Sequence, residues 1–138
     1  ASNYLDESNE PLYPFGYGLS YTDFVYGELQ ISSETLPKNG ELTVSVTVTN
    51  KGNYDGYETV QLYLHDIYAE IARPVKELKG FERVFLKSGE SRDVKFVITE
   101  DDLKFYNSEL HYVYEPGEFD VMVGPNSRDV QTKSFQAK

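Results

Sequence analysis

Hydrophobic and polar residues alternate strictly over residues 42–49 (LTVSVTVT). Leu42, Val44, Val46 and Val48 fall on one face of an extended chain, and residues with hydroxyl groups fall on the other. Because successive side chains of a strand point to opposite faces, this period of two predicts a half-buried strand. The segment therefore predicts an apolar core on one side of the strand and solvent on the other.

Shorter runs with the same period predict further strands at residues 24–31, 60–65, 81–86, 94–98, 112–114, 119–123 and 130–135. Between these runs lie glycine, proline, asparagine and aspartate, each of which favours turns for a specific backbone reason. Gly27, inside the first run, predicts a bulge. Short strands separated by turns are typical of an antiparallel sandwich, so we expect an all-β fold of seven to eight strands.

Residues 99–103 (TEDDL) predict one helical turn between two strands. Thr99 belongs to the residue class that caps helix N-termini, and Asp102 follows at the spacing of a capping box. Calcium binding is a second interpretation of the acidic run. Acidic residues at a helix start complement the helix dipole, however, so we expect a structural turn without a metal ion.

The alternation is lost between residues 64 and 78, which predicts a long connection. Tyr68, Ile71 and Val75 lie in it at irregular spacing, and Arg73 precedes a proline. A loop this apolar is expected to be covered, because large exposed apolar patches mark interaction surfaces. We therefore assign Tyr68, Ile71, Arg73 and Val75 to a docking surface for another domain.

Residues 11–22 (PLYPFGYGLSYT) combine a restricted backbone with large aromatic side chains. Two prolines and two glycines interrupt the segment, so it is not expected to propagate a helix or a strand ladder. Two interpretations stay open. Phe15, Tyr17, Leu19 and Tyr21 cover one end of the sandwich, or they anchor it to another domain. We favour anchoring, because a rigid segment loses little entropy on docking and aromatic residues are frequent interface anchors.

Residues 14–22 resemble the connector that precedes the fibronectin type III-like domain at the C-terminal end of glycoside hydrolase family 3 enzymes, the β-glucosidases and β-xylosidases. Further motifs of that domain follow in the same order over nearly the whole chain, at residues 46–52, 56–63, 73–81, 86–90, 102–106, 115–119 and 121–124. Each motif alone has low specificity, but their combined order and spacing is specific. One departure is Tyr112, where many relatives carry Trp, and it concerns a packing detail.

The resemblance implies an immunoglobulin/fibronectin type III-like antiparallel β-sandwich with Greek-key connections. It implies that residues 1–21 are an aromatic connector from an upstream catalytic domain and that residues 22–138 form the sandwich. The chain begins with Ala1 rather than Met, and we expect it to be a fragment or a processed product. The Ser-Asp-Trp-like and Lys-His-Phe-like motifs of the family's catalytic barrel do not occur in this sequence.

These points together predict a non-catalytic accessory domain that packs on and stabilises the catalytic domains of the same polypeptide. By resemblance, the parent is a retaining glycosidase that removes terminal β-linked glucose or xylose. A saccharide at the rim of the parent's active site is an additional expected partner. The parent is expected to be bacterial and periplasmic or secreted.

Composition excludes several other classes of function. The formal net charge is −10, whereas nucleic acids and anionic membrane surfaces attract clusters of Lys and Arg. The sequence has no Cys, which excludes disulfides, Cys-ligated zinc and thiol catalysis. No apolar run reaches the length of a membrane span. We therefore expect neither a nucleic acid nor a membrane as partner.

The sequence has few candidates for catalytic or metal-binding chemistry. His65 and His111, its two histidines, do not start a His-Glu-x-x-His motif and are expected to be solvated strand positions. A metal site built from His65 and Asp66 is the alternative. With 23 acidic residues, some carboxylate pair is always available by chance, and none has a distinctive sequence setting. We expect no catalytic residue, metal or cofactor in this chain.

Two further classes of function are alternatives to an accessory domain. An autonomous carbohydrate-binding module would use exposed aromatic residues as a sugar platform, and Tyr54, Tyr57, Tyr63 and Tyr68 are the candidates. The absence of Trp counts against this alternative. An adhesion- or chaperone-type sandwich would offer an exposed edge strand to a partner, but this alternative does not explain the aromatic connector.

Overall fold

A computed structural model of the chain describes residues 23–67, 76–106 and 109–138. Within these residues it contains eleven strands and one short helix. They are, in chain order, β1 (Phe24–Tyr26), β2 (Gln30–Ile31), β3 (Thr35–Leu36), β4 (Leu42–Asn50), β5 (Gly56–Asp66), β6 (Glu77–Leu86), β7 (Ser91–Ile98), α1 (Glu100–Leu103), β8 (Phe105–Tyr106), β9 (Tyr112–Val113), β10 (Gly117–Gly124) and β11 (Gln131–Ala137). The eight residues that the sequence assigned to docking lie outside the described residues. They are Phe15, Tyr17, Leu19, Tyr21, Tyr68, Ile71, Arg73 and Val75.

The first sheet is built around β4, which pairs with β7 along one edge and with β1 and β2 along the other. All of these pairs are antiparallel. From Tyr26 to Gln30 the edge advances by four residues, whereas β4 advances by three, from Val48 to Ser45. The Gly27 amide donates to the Thr47 carbonyl at 2.7 Å, so Gly27 is still in register and the extra residue lies between Gly27 and Gln30. The predicted bulge is present, directly after Gly27.

The second sheet has five strands in the order β3-β11-β10-β5-β6. β3 runs parallel to β11, and the other neighbours are antiparallel. Sequential strands change sheet between β4 and β5 and again between β6 and β7. These crossings are the Greek-key connections that the sequence predicted.

The core lies between the two sheets and contains alternate residues of the long strands. In β4 the burial follows the sequence pattern, with Leu42, Val44, Val46 and Val48 buried. Val121 and Val123 of β10 meet them from the other sheet. Counting β1 and β2 as one interrupted strand, the sandwich has eight strands within the described residues, and β8 and β9 form a separate small ribbon. The predicted all-β sandwich is confirmed.

The helical turn α1 has the predicted N-terminal cap. The Asp102 carboxylate accepts a hydrogen bond from the Thr99 backbone amide at 2.8 Å. Three acidic residues occupy the first turn, where they complement the positive end of the helix dipole. Leu103 is buried in the core, so the turn attaches the chain to the sandwich after β7.

Asn50 is a fully buried polar residue at the end of β4. Its side-chain amide donates to the carbonyls of Tyr54 at 2.8 Å and Leu86 at 3.0 Å. Its side-chain oxygen accepts from the Gly52 amide at 2.9 Å. Because β4 and β6 belong to different sheets, this residue joins one end of the sandwich. The sequence predicted a turn here, and Asn50 closes it from inside.

We expect Asn50→Ala to lower the free energy of unfolding by about 2–4 kcal/mol, because it removes three hydrogen bonds and leaves buried carbonyls unpaired. Asn50→Asp has a similar shape but places a second acceptor against two carbonyls, so it should destabilise as well. Urea unfolding of the isolated chain measures both. The control is Asn53→Ala at an exposed position of the same turn, which should change stability by less than about 0.5 kcal/mol. Equal effects at the two positions would contradict the role of Asn50.

Candidate docking face

The outer face of β5 and β6 carries a row of aromatic and aliphatic side chains. Antiparallel pairing sets Tyr57 opposite Phe85, and it sets Phe81 opposite Gln61. A register shift after Leu62 then sets Leu78 opposite Tyr63, which brings Leu78 to the same face. Arg83 lies between Phe81 and Phe85 on this face. We call the set of Tyr57, Leu78, Phe81, Arg83 and Phe85 the β5–β6 strip.

The apolar members of the strip are exposed to solvent. The exposed fractions are 65% for Phe81, 59% for Tyr57, 51% for Leu78 and 39% for Phe85. β6 is also the outermost strand of its sheet among the described residues. Natural proteins usually protect long edge strands with charges or cover them, because an apolar edge promotes association. A strand with four exposed apolar neighbours is therefore a candidate for contact with another surface.

The corresponding outer face of the first sheet is mostly polar. On β4 and β7, Thr47 donates to Asp93 at 2.7 Å, and the hydroxyls of Thr49 and Ser91 lie 2.6 Å apart. Its exposed apolar residues, Val25 and Val97, lie on two strands that flank β4. The strip differs from this face because its exposed apolar residues are larger and adjoin one another on β5 and β6.

Arg83 is part of the apolar strip rather than a separate surface charge. Its guanidinium lies 4.1 Å from the centre of the Tyr57 ring, within the range of a cation–π interaction. The rings of Tyr57 and Phe85 are 5.0 Å apart and tilted by 59°. Because Arg83 and Phe85 both contact it, Tyr57 is held in place at one end of the strip.

The tyrosines proposed as a sugar platform do not form a flat surface in the described residues. Tyr57 is contacted by Arg83 and by a tilted Phe85. Tyr63 is half-buried, its hydroxyl donates to Gln61, and Lys76 lies over its ring. Tyr54 is exposed and lies before β5, whereas Tyr68 is outside the described residues. The arrangement does not favour stacking of a sugar ring across this set.

A second exposed aromatic group is found on the β8–β9 ribbon. Tyr106 and Tyr112 are paired across the ribbon, with ring centres 4.9 Å apart. Lys104 lies 5.8 Å from the Tyr112 ring centre. Both tyrosines are exposed, and Tyr112 thus occupies a surface position in the ribbon. This group provides a comparison for the strip.

Glu58 is a carboxyl group on the inward-facing side of β5, where it accepts a hydrogen bond from the Tyr26 hydroxyl at 2.7 Å. Burial raises the pKa of Glu58 above its ordinary value, and the hydrogen bond from Tyr26 opposes part of this rise. Burial, together with the neighbouring carboxylate, also raises the pKa of Tyr26. The pair connects β1 of the first sheet with β5 of the second, which is a structural role.

The histidine, aspartate and serine on the outer face of the second sheet do not have the order of a catalytic triad. His65 pairs in register with Asp120, and Asp120 pairs with Ser134. Ser134 donates directly to Asp120 at 2.7 Å. A triad needs the histidine between the serine and the carboxylate, and here the carboxylate is in the middle. His111 lies 3.8 Å from Glu109 on the exposed ribbon loop.

Two searches of the described residues address other types of site. No group of three or more His, Asp or Glu side chains with the arrangement of a metal site occurs in residues 23–67, 76–106 and 109–138. In the same residues, no helix has both the length and the hydrophobicity of a membrane span. The candidate site of the described structure is the β5–β6 strip, on the basis of its exposed apolar side chains.

Comparison with known proteins identifies the family. Fibronectin type III-like domains match residues 58–127, and the chain belongs to this family. It is 49% identical over 135 residues to a periplasmic β-glucosidase of Salmonella typhimurium, covering 98% of this chain and 18% of the relative. A putative β-xylosidase of Formosa agariphila is 47% identical, again over 98% of this chain and 18% of the relative.

A crystal structure of a β-glucosidase from Listeria innocua with gluconolactone contains a similar domain. Its TM-score is 0.75 and its identity 46%, with 99% of this chain and 19% of that chain covered. This chain therefore spans less than a fifth of the length of these relatives. The resemblance to the fibronectin type III-like domain of family 3 β-glucosidases and β-xylosidases is confirmed.

The sequence analysis placed Phe81 and Phe85 in a strand but gave them no role. The sequence feature that could have indicated a role for Phe85 is the composition of β6, in which Val84 and Leu86 alternate with Arg83 and Phe85. A strand with apolar residues on both faces needs a cover on each face. The inner side is covered by the core, whereas Phe85 stays on the exposed side.

The Glu58–Tyr26 pair gives a pH dependence with a definite sign. Because the folded pKa of Glu58 exceeds its ordinary value of 4.5, the folded state binds this proton more tightly than the unfolded state does. The free energy of unfolding should therefore fall as pH rises through the interval between the two pKa values, and Glu58 should add no further slope above it. Glu58→Gln keeps an acceptor for Tyr26 and should remove this component.

Urea unfolding of both proteins from about pH 4 to about pH 8 measures this component as the difference between their stability profiles. Glu41→Gln, at an exposed position, is the control and should leave the profile unchanged. Parallel profiles for wild type and Glu58→Gln would contradict the raised pKa.

Proposed function

We propose that this chain is the non-catalytic, C-terminal accessory domain of a β-glycosidase, which packs on and stabilises the catalytic domains of the same polypeptide. The observation that carries the proposal is the similarity to β-glucosidases and a β-xylosidase over nearly the full chain but less than a fifth of their length. The parent is a hydrolase that removes terminal β-linked glucose or xylose. Its chemistry lies in the remaining part of the polypeptide.

The described residues support a role without bond cleavage. A retaining glycosidase needs two carboxyl groups about 5–5.5 Å apart, one as nucleophile and one as acid/base. Glu58, the carboxyl group with a raised pKa, is bonded to Tyr26 between the sheets. This hydrogen bond between β1 and β5 supports a structural role for Glu58. No metal or cofactor is part of the proposal.

The proposed division of the chain places the connector in residues 1–21 and the sandwich in residues 22–138. Phe15, Tyr17, Leu19 and Tyr21 of the connector dock on the catalytic domains. Tyr68, Ile71, Arg73 and Val75, in the sequence between β5 and β6, dock in the same way. The reason is chemical, since both segments combine aromatic or aliphatic residues with proline, and aromatic anchors are frequent in interfaces.

An accessory domain of this kind acts through linkage. Contacts made only when both parts are folded stabilise each part, because unfolding either one breaks them. A loop of the domain that reaches the rim of the active site would contact a saccharide there. The periplasmic location of the Salmonella relative supports a periplasmic or secreted parent in a bacterium. Neither a nucleic acid nor a membrane is a proposed partner.

Removal of residues 23–138 from the full-length parent tests the proposal. The truncated enzyme should lose activity on an aryl β-glucoside at a lower temperature than the full-length enzyme. Loss of an interface worth about 3 kcal/mol corresponds to a lower Tm by roughly 6–12 °C for a domain of about 150–250 residues, and by less for a larger one. The measurement is residual activity after heating, together with the unfolding transition of the catalytic domains.

A matched control for the truncation is the full-length parent carrying Asn53→Ala, at an exposed turn position of the domain. This variant should inactivate at the same temperature as the unmodified parent. Equal thermal inactivation of truncated and full-length enzymes would contradict a stabilising role.

A further inference from the structure

We propose that the β5–β6 strip is covered by the upstream part of the same polypeptide, and that the exposed tyrosines of the β8–β9 ribbon remain outside this interface. The inference rests on the proposed function, since it needs an upstream body to dock. It specifies which face of the sandwich is covered and the chemistry of the surface that covers it. The exposure of the strip, its position in the sandwich and the charge of Arg83 support it.

The size of the strip fits an interface. Leu78 and Phe85 lie seven positions apart on β6, a distance of about 23 Å along a strand. Tyr57 broadens the strip onto β5, where it pairs with Phe85. The strip is thus longer than a single exposed side chain and lies on the outermost strand of its sheet within the described residues. Covering it removes both the apolar surface and the exposed edge from water.

The described structure starts at Asp23, at the end of the sandwich that also carries Tyr57 and Phe85 of the strip. The Asp23 carbonyl accepts from the Lys51 amide at 2.7 Å. The neighbouring Asn50 is bonded to the Leu86 carbonyl at 3.0 Å. Leu86 pairs with Gly56, directly beside the Tyr57 and Phe85 pair. Polypeptide that precedes Asp23 therefore starts at the end of the sandwich that carries the aromatic end of the strip, although Asp23 itself belongs to the first sheet.

The β8–β9 ribbon is connected to the end of the sandwich that lies opposite Asp23. β7 pairs with β4 from Ser91 opposite Thr49 to Ile98 opposite Leu42. The chain enters α1 and the ribbon after Ile98, whereas it enters β1 near Asn50. Tyr106 and Tyr112 are thus attached beyond the end of β7 that is remote from Asp23. The ribbon is therefore remote from the Tyr57 and Phe85 end of the strip, whereas Leu78, which pairs with Tyr63, lies at the ribbon's end of the sandwich.

Arg83 defines the chemistry of the surface that meets the strip. Its guanidinium is stacked on Tyr57, and no ion pair of Arg83 with a carboxylate is found among the described residues. A guanidinium buried in an interface needs acceptors for its N–H groups. The upstream surface is therefore apolar opposite Phe81 and Leu78, and it carries a carboxylate or backbone carbonyls opposite Arg83.

Hydroxyl-radical footprinting of side chains tests the inference directly. The isolated chain and the full-length parent are oxidised under the same conditions, and modification of each aromatic residue is measured by mass spectrometry. Phe81 is 65% exposed and Tyr106 is 64% exposed, which makes Tyr106 a matched control. Burial in an interface core should lower the modification rate of Phe81 several-fold in the parent, because the exposed part of the ring would be covered. Tyr57 should also be protected, whereas Tyr106 and Tyr112 should not change.

A pair of variants tests the energetic consequence. Phe81→Ser and Tyr106→Ser change equally exposed positions, so each should leave the Tm of the isolated chain nearly unchanged. In the full-length parent, Phe81→Ser should lower the Tm by several degrees and Tyr106→Ser should not. The isolated chain thus shows that neither variant disrupts the fold.

Three outcomes would overturn the inference. Protection of Tyr106 and Tyr112 without protection of Phe81 would show docking through the ribbon and leave the proposed function intact. No protection of either face, with unchanged inactivation of the truncated parent, would contradict the proposed function as well. Protection of Phe81 in a dimer of the isolated chain, detected by light scattering, but not in the parent would assign the strip to a second copy.

Discussion

The packing of two sheets around an apolar interior is the constraint on which the rest of this structure depends. Along β4, alternate residues are buried from Leu42 to Val48, and β10 meets them with Val121 and Val123. A shift of one residue in the pairing would turn these side chains to solvent. The register is therefore fixed by the core. The same register decides which residues face outward, including those of the β5–β6 strip.

The interior also decides which polar groups can be present. Asn50 is tolerated because its donors and its acceptor all have backbone partners. Glu58 is tolerated because it is paired with Tyr26, and its raised pKa reflects the cost of holding a carboxylate there. Both groups connect the two sheets. Asn50 and Glu58 thus serve the fold.

The outer surfaces differ in a way that the alternation alone does not require. The first sheet presents mostly hydroxyl and carboxylate groups such as Thr47 and Asp93, with the smaller Val25 and Val97 exposed, whereas β6 of the second sheet presents Phe81, Phe85 and Leu78. An autonomous soluble domain gains nothing from such an exposed apolar row. A domain that belongs to a larger polypeptide gains an interface. This asymmetry is consistent with a chain that spans less than a fifth of its relatives.

The elements governed by local chemistry could be predicted from the sequence. The strand β4, the cap of α1 by Thr99 and Asp102, and the irregularity at Gly27 follow from alternation, side-chain hydrogen bonding and backbone freedom. β6 was predicted to begin near Phe81, but it begins at Glu77. The reason is that pairing with β5 and the register shift after Leu62 extend the strand through residues without regular alternation.

The candidate docking face depended on information that a single strand does not contain. Phe81 and Tyr57 are 24 positions apart in the sequence, and only the register of β5 against β6 brings their neighbours together. The eight predicted docking residues, from Phe15 to Val75, lie outside the described residues, so their role stays a prediction. The pairing of Tyr106 with Tyr112 across a separate ribbon likewise could not be predicted from the alternation within a single segment.

The central claim is that this sandwich supports a catalytic body and breaks no glycosidic bond itself. Its most direct test is hydrolysis of an aryl β-glucoside by the purified isolated chain, followed at high protein concentration beside a buffer blank and the full-length parent. The account predicts release at the rate of the blank for the isolated chain and turnover for the parent. Turnover by the isolated chain that disappears on replacing one acidic residue, with Glu58→Gln as the first variant, would contradict it.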